Sequence, residues 1–166
     1  MKVAEYYTIV EKTAVYPQQV NNFGLAYAVL GLFDEMNELG AVNTKDEQIK
    51  ESGDVLWYVA AICKELDISF EEIIHTFMSA NDDIIPFKIF GVVKKYYRDN
   101  KKVDLEIVID TLKLIVRGVL EDATDNGITL EMILQTNYDK LIERHATNTI
   151  SGDGETVEQR LANESK

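Results

Sequence analysis

The chain has 166 residues, enough for one domain with a substantial core, and 46% of them are hydrophobic, which excludes disorder throughout. Acidic residues number 29 against 17 basic ones, a net charge of -12, and such a field repels nucleic-acid phosphates. A small phosphorylated ligand remains compatible with that charge, because a divalent cation bridges carboxylates to phosphate. A lone cysteine, Cys63, rules out an internal disulfide and a cysteine-based zinc site, and two histidines, His75 and His145, argue against zinc altogether. No stretch is long and apolar enough to span a membrane. The opening MKVAEYYTIVEKTAVYP carries acids where a signal peptide is apolar, so the expectation is a mature cytoplasmic protein.

With two prolines, Pro17 and Pro86, the chain suits long helices better than many short strands, and the expected fold class is all-α, a helical bundle. A first helix is expected from about Val3 to Thr13, ending before Pro17. A second runs from about Gln19 to Leu39, with Phe23, Ala26, Tyr27, Leu30 and Phe33 at the helical period and Gly40 as its cap. Thr44 and Glu47 form a capping box for a third helix reaching about Glu65, with Ile49, Leu56, Val59, Ala60 and Cys63 as its buried stripe. The short loop between the second and third helices makes them antiparallel neighbours. A fourth helix begins near Ser69, with Glu72 as the box partner, and reaches about Ala80. The run from Ile84 to Tyr97 suits a strand or a helix, and the reading taken is a short helix after Pro86. Helical periodicity returns from Asp104 to Asp122, and a last helix spans Thr129 to about His145, with Met132 where a capping box would have Glu. The tail 146–166 is glycine-containing and then charged, expected to be mobile or to close over a site.

The segment from Ile68 to Thr76 echoes that from Ile128 to Thr136, each following a long helix that ends in acids. This reads either as a partial duplication or as two capped helices of similar composition.

Glu35 and Glu38 lie three apart on the second helix, and Glu51 and Asp54 three apart on the third. Each pair shares a helix face, and the short loop lets the faces meet. Four converging carboxylates make a hard oxygen site for Mg²⁺ or Mn²⁺. The other reading is a solvated acidic face. Lys140 and Arg144 are four apart, with Asn137 on the same face: a cation pair suited to polyphosphate, or partners of Asp139 and Glu143. Tyr58, four residues after Asp54, turns its hydroxyl towards the acidic face or belongs to the core.

The stretch from Leu30 to Glu38 (LGLFDEMNE), followed by Glu51 to Tyr58 (ESGDVLWY), resembles the MazG-like all-alpha NTP pyrophosphohydrolases, whose signature is E-x-x-E, a spacer, then E-x-x-D. Tyr6–Pro17, including Thr13–Pro17, resembles the family's first helix and turn, and the Asn137–Arg144 helix with its N-x-x-K-L-x-x-R pattern and the Thr149–Gly154 tail match in order; the likeness covers roughly 3–76 and 128–155. It implies one helical domain over 1–145 with inserted helices at about 77–127. It also implies Mg²⁺-dependent hydrolysis of a nucleoside or deoxynucleoside triphosphate to the monophosphate and pyrophosphate, with Mn²⁺ as a substitute. It carries over Glu35, Glu38, Glu51 and Asp54 as metal ligands, Glu38 as the group that orients or deprotonates water, and Asn137, Lys140 and Arg144 as phosphate contacts, with Tyr58 near sugar or phosphate. It implies a homodimer or homotetramer.

The chain departs from the pattern at Asp34 and Asn37, where relatives often have glycine, and its connection after Glu38 lacks a basic helical end. Thr111 and Leu114 fall where Glu51 and Asp54 map in the echo. Two other classes compete. One is a non-enzymatic acidic helical interaction or regulatory protein. The other is a carboxylate di-iron protein, for which Glu72 and His75 supply one half of the needed Glu-x-x-His pairs and His145, preceded by Ile142, does not supply the other. Tyr16, Phe23 and Tyr27 are aromatic candidates for stacking on a base.

Overall fold

The computed structural model describes residues 1–14, 23–147 and 149. Among them the fold is all-α, with seven helices and no strand: α1 (Val3–Thr13), α2 (Gly24–Leu39), α3 (Lys45–Leu66), α4 (Phe70–Thr76), α5 (Lys88–Asp99), α6 (Leu105–Asp125) and α7 (Leu130–Ala146). The expected start of the second helix at Gln19, the turn at Pro17 and most of the tail lie outside the described residues. The helix after Pro86 forms, and β-branched residues do not make it a strand, because Ile89 and Val93 fall on one face and are buried while Lys88, Lys94 and Lys95 stay exposed. The fourth helix is shorter than expected: it ends at Thr76 and tightens into a 3-10 turn over Phe77–Ser79. The sixth continues three residues past Asp122.

Local chemistry sets the helix boundaries. Thr44 accepts from the Glu47 N–H at 3.2 Å while the Glu47 carboxylate accepts from the Thr44 N–H at 3.0 Å, the full reciprocal box. Ser69 and Thr129 cap α4 and α7 through the N–H groups of Glu72 and Met132, so a Glu at 132 is not required for the cap itself. Helix α3 ends on Asp67 and α6 on Gly127, both left-handed (φ 54° and 65°), and in each the next isoleucine returns its N–H to the helix: Ile68 to Cys63 O at 2.9 Å, Ile128 to Ala123 O at 2.8 Å. This closure satisfies carbonyls that would otherwise be orphaned at the helix end.

The antiparallel pair α2–α3 is the most extensively packed in the molecule, and α3 is central: α1, α4, α6 and α7 all rest on it. Tyr6, Leu32, Leu56, Ile62, Phe70 and Ile133 are among the largest fully buried side chains, so one core joins both halves of the sequence. Polar ties fix the helices laterally. Trp57 Nε1 donates to Thr13 Oγ1 at 3.1 Å, binding α3 to α1, and Gln48 Nε2 donates to Asp122 Oδ2 at 2.6 Å, binding α3 to α6. Because α7 also lies along α3, residues more than 80 positions apart in sequence, Asp54 with Asn137 and Lys140, come within hydrogen-bonding distance. No described helix is long and apolar enough to cross a membrane.

Candidate metal centre

Glu35 and Glu38 project from the second half of α2, and Glu51 from the second turn of α3. Each offers a carboxylate oxygen, and these oxygens all lie within 4.8 Å of one another. Glu38 is exposed, while Glu35 and Glu51 are half-buried. The cluster follows from the short loop after Leu39: α2 and α3 run antiparallel from it, so the last turns of one face the first turns of the other.

Asp54 is beside the cluster but not in it. Its Oδ1 accepts from Asn137 Nδ2 at 2.8 Å and from Lys140 Nζ at 2.6 Å, and its Oδ2 also faces the ammonium. The spacing of the acids therefore leads to three carboxylates together and a fourth held by α7. Lys140 pairs with neither Asp139 nor Glu143: it is the counterion of Asp54. Arg144, half-buried one turn on, makes no ion pair with a described residue. Asn137 is almost fully buried, its amide between Asp54 and the Tyr6 hydroxyl, which is 2.9 Å from Asn137 Oδ1.

The cluster is electrostatically loaded. Glu35 is pushed up from its ordinary range to about 7, first by burial and then by the charges of Asp54, Glu38 and Glu51, with Lys140 opposing. Glu51 is raised for the same reasons, burial first and then Asp54 and Glu38. Half-buried carboxylates that repel one another are stabilised by a bound cation. The donor set fits a hard one: oxygens around Mg²⁺ at about 2.1 Å lie roughly 3 to 4 Å apart, a small side-chain adjustment from the separations here. Glu35, Glu38 and Glu51 would hold it, with Asp54 next in reach.

An open groove of about 580 Å³ adjoins the cluster, lined by Tyr27, Leu30, Gly31, Phe33, Asp34 and Tyr58. Tyr58 lines the groove and also lies within reach of the charges of Glu35 and Asp54. Burial, a hydrogen bond with the Tyr27 side chain and the nearby charges of Tyr27, Glu35 and Asp54 raise its pKa, so it stays a neutral phenol. The ring rests on the α2 backbone: a Cβ built on Gly31 would sit 2.2 Å from Tyr58 Cε1. Asp34 thus faces the groove. Phe23, at the start of α2, is half-buried, and Tyr16 lies outside the described residues.

Two residues here were not legible as site residues. Gly53, between the acids of the second pair, allows α7 its close approach, since a Cβ there would stand 2.7 Å from Asn137 Cβ. A glycine in mid-helix beside an acid was the available signal. Tyr6 had none, because its partner is 131 positions away. His75 and Glu71 lie 3.7 Å apart on the surface of α4, and His75 belongs to no carboxylate–histidine cluster among the described residues. Searched against known protein families, curated proteins and solved structures, the chain finds no match.

Proposed function

We propose that the acidic cluster binds Mg²⁺, or Mn²⁺ in its place, and that the chain hydrolyses a nucleoside or deoxynucleoside triphosphate to the monophosphate and pyrophosphate, in the manner of the MazG-like enzymes its motifs resemble. The observation that carries this reading is the meeting of Glu35, Glu38 and Glu51, from two helices, within 4.8 Å. Two of the three are half-buried as well, and carboxylates that repel one another there are stabilised by a bound cation.

When bound, the cation neutralises phosphate charge and lowers the pKa of water. The side chains divide the remaining tasks. Glu38, the most exposed of the three, orients the attacking water and accepts its proton. Glu35 and Glu51 would hold the cation together with Glu38, and Glu35 would give up its proton on binding it. Water adds at phosphorus, the α–β phosphoanhydride bond breaks, and pyrophosphate leaves. Arg144, which has no described acidic partner, meets the phosphates. Lys140 shares its charge between Asp54 and the incoming polyphosphate. The groove beside Tyr58 and Tyr27 takes the sugar and base.

We also propose a homo-oligomer, a dimer or a tetramer. Leu30, Met78, Ile85 and Phe87 are large apolar side chains left more than half exposed, which a second copy would cover. Light scattering at tens of micromolar checks this, and a monomer there refutes it.

The deciding assay is a panel of common NTPs and dNTPs with Mg²⁺ or Mn²⁺, with pyrophosphate resolved from orthophosphate. Pyrophosphate release from at least one nucleotide is expected. Release of orthophosphate alone, or no turnover together with no cation binding, rejects the reading.

A further inference from the structure

We propose that Tyr6 is a positioning residue of this site: by donating its hydroxyl proton to Asn137 it anchors that amide in the place from which its nitrogen reaches Asp54. The proposal rests on the functional reading above for its consequence, and on geometry alone for the contact.

The amide of Asn137 has two ends with opposite hydrogen-bonding character, and its surroundings decide between them. On one side, 2.8 Å away, is the Asp54 carboxylate, which only accepts. The amide nitrogen must therefore face Asp54, because the reverse orientation sets two acceptor oxygens against each other. That leaves Asn137 Oδ1 pointing into the core, where it needs a donor, and the Tyr6 hydroxyl lies 2.9 Å from it. The hydroxyl has a single proton. Its other neighbour, Gly53 O, is 3.5 Å away and is the poorer acceptor, so the proton goes to Asn137. Tyr6 is 0% and Asn137 1% exposed, so water is not at hand to replace either partner.

The effect reaches the acids. Asp54 Oδ1 is shared between Asn137 Nδ2 and Lys140 Nζ. Its carboxylate is thereby fixed in plane, one helical turn beyond Glu51 on the same helix. Without the Tyr6 donor, Asn137 keeps one satisfied end and one stranded oxygen in the core. Asp54 still selects the nitrogen end, but the amide is no longer anchored from behind, and Asp54 loses a fixed neighbour. A hydroxyl on α1 thus sets the orientation of a carboxylate on α3 through an amide on α7. The tyrosine is held for this task by its packing on Phe70, ring centroids 6.0 Å apart.

The test uses the full chain, free of metal and then titrated with Mn²⁺. In the parent, the Asn137 side-chain NH₂ should exchange slowly with solvent. Tyr6→Phe should accelerate that exchange at least about tenfold, weaken Mn²⁺ binding by about tenfold, and lower kcat by a similar factor while KM stays within about twofold, the scale at which groups that orient metal ligands act. In an Asn137→Ala background Tyr6→Phe should change Mn²⁺ affinity no further, because the tyrosine acts through the amide. A Tyr6→Phe protein that melts earlier but keeps the parent's amide protection and Mn²⁺ affinity makes Tyr6 a packing residue and overturns the proposal. If Tyr6→Phe does not fold, the parent still decides: an Asn137 amide exchanging as fast as an exposed one overturns it. A parent that binds no Mn²⁺ and hydrolyses no nucleotide rejects the functional reading, while the amide measurement still judges Tyr6.

Discussion

The corner joining α3 to α4 and the corner joining α6 to α7 share one construction and differ in chemistry. Both end a long helix in a left-handed residue, return an isoleucine N–H to the helix, and restart on a hydroxyl cap. The interval between them is 60 residues, Ile68 to Ile128, and it extends beyond the corner: α2 ends at Leu39 and α5 at Asp99, and the caps Thr44 and Asp104 open α3 and α6. At the same interval Glu35 and Glu38 are matched by Lys95 and Arg98, Glu51 by Thr111, and Asp54 by Leu114. The residues that α7 contributes, Asn137 and Lys140, are matched in the first half by Phe77 and Ala80. Acids come from the first half and their partners from the second, so the site spans the repeat. The backbone of a corner is thus specified by caps and left-handed residues, and it tolerates the replacement of the acids on the helix leading into it by Thr111 and Leu114.

Exchanging one residue across the repeat gives the largest effects. Glu51→Thr should lower turnover at least ~100-fold, the scale of losing a preorganised electrostatic group. It should abolish the Mn²⁺-dependent melting shift and leave metal-free stability equal or higher, since one repulsive charge is gone. The reverse exchange, Thr111→Glu, puts a carboxylate at a fully buried position without a cation, where it costs several kcal/mol. Thermal melts of both proteins with and without Mn²⁺ check the pair. A Glu51→Thr protein with undiminished turnover and melting shift would remove Glu51 from the site.

The next effect is on pH dependence, which only the acid-bearing half should show. Glu35 is raised in the folded protein to about 7, above its ordinary 4.5, so the native state holds more protons than the unfolded chain between those values. The contribution is fully present below pH 4.5 and is lost as pH rises through about 7, leaving the metal-free protein less stable at pH 8 than at pH 5 on this account. Cation binding requires the deprotonated form. Mn²⁺ affinity should therefore rise about tenfold per pH unit up to about 7 and then level off, with one proton released. Calorimetric titrations at pH 6 and pH 8 in two buffers measure both. An affinity that is flat with pH would mean that Glu35 does not ligate.

How far the sequence foretold this differs between fold and site. The helices were legible because caps and periodicity are local: Thr44 with Glu47 and Ser69 with Glu72 signal their own boundaries. The helix after Pro86 was ambiguous, because a short run rich in Ile, Val and Phe suits both periods until the burial of Ile89 and Val93 selects one. The acids of α2 and α3 were legible as neighbours, since the short loop of residues 40–44 leaves antiparallel packing as the simple solution. The pairing of Lys140 with Asp54 was not, nor was the role of Gly53, because both depend on where α7 lies along α3. Nothing local to Lys140 distinguishes Asp54 from the nearer-in-sequence Asp139 and Glu143.

Glycine substitutions probe that placement with opposite signs. Gly53→Ala gains about 1 kcal/mol in helix propensity but puts a Cβ 2.7 Å from Asn137 Cβ, an overlap that costs roughly 1 to 3 kcal/mol and cannot be relieved at a side-chain tip. The expected result is a net loss of up to about 2 kcal/mol and weaker Mn²⁺ binding, as α7 moves outward. Gly118→Ala, where a Cβ meets nothing, should gain about 1 kcal/mol. Urea melts of the two proteins check the signs. Equal stabilisation by both would mean that α7 does not press on α3 at Gly53. The position matching Gly53 across the repeat is Lys113, whose side chain reaches Ser79, so the second half has no such close approach.

The smallest expected effect concerns the residues on which the two corners turn. Asp67 and Gly127 occupy the same left-handed position, at φ 54° and 65°, but only glycine does so without a Cβ penalty. Asp67→Gly should therefore stabilise the protein, by less than about 1 kcal/mol, because the relief of strain is offset by the greater freedom of glycine in the unfolded chain. Gly127→Asp should destabilise it by a similar or smaller amount. An environmental difference tempers that loss: Lys45 Nζ donates to Gly127 O at 2.9 Å and would lie 3.6 Å from an added Cβ, so a carboxylate there meets a cation. High salt weakens that attraction, so the cost of Gly127→Asp should grow between low and 0.5 M salt, while the gain from Asp67→Gly should hold nearly constant. Denaturant titrations at the two salt concentrations measure this. If Asp67→Gly destabilises instead, the aspartate side chain is itself part of the first corner, and the two corners are alike in backbone only.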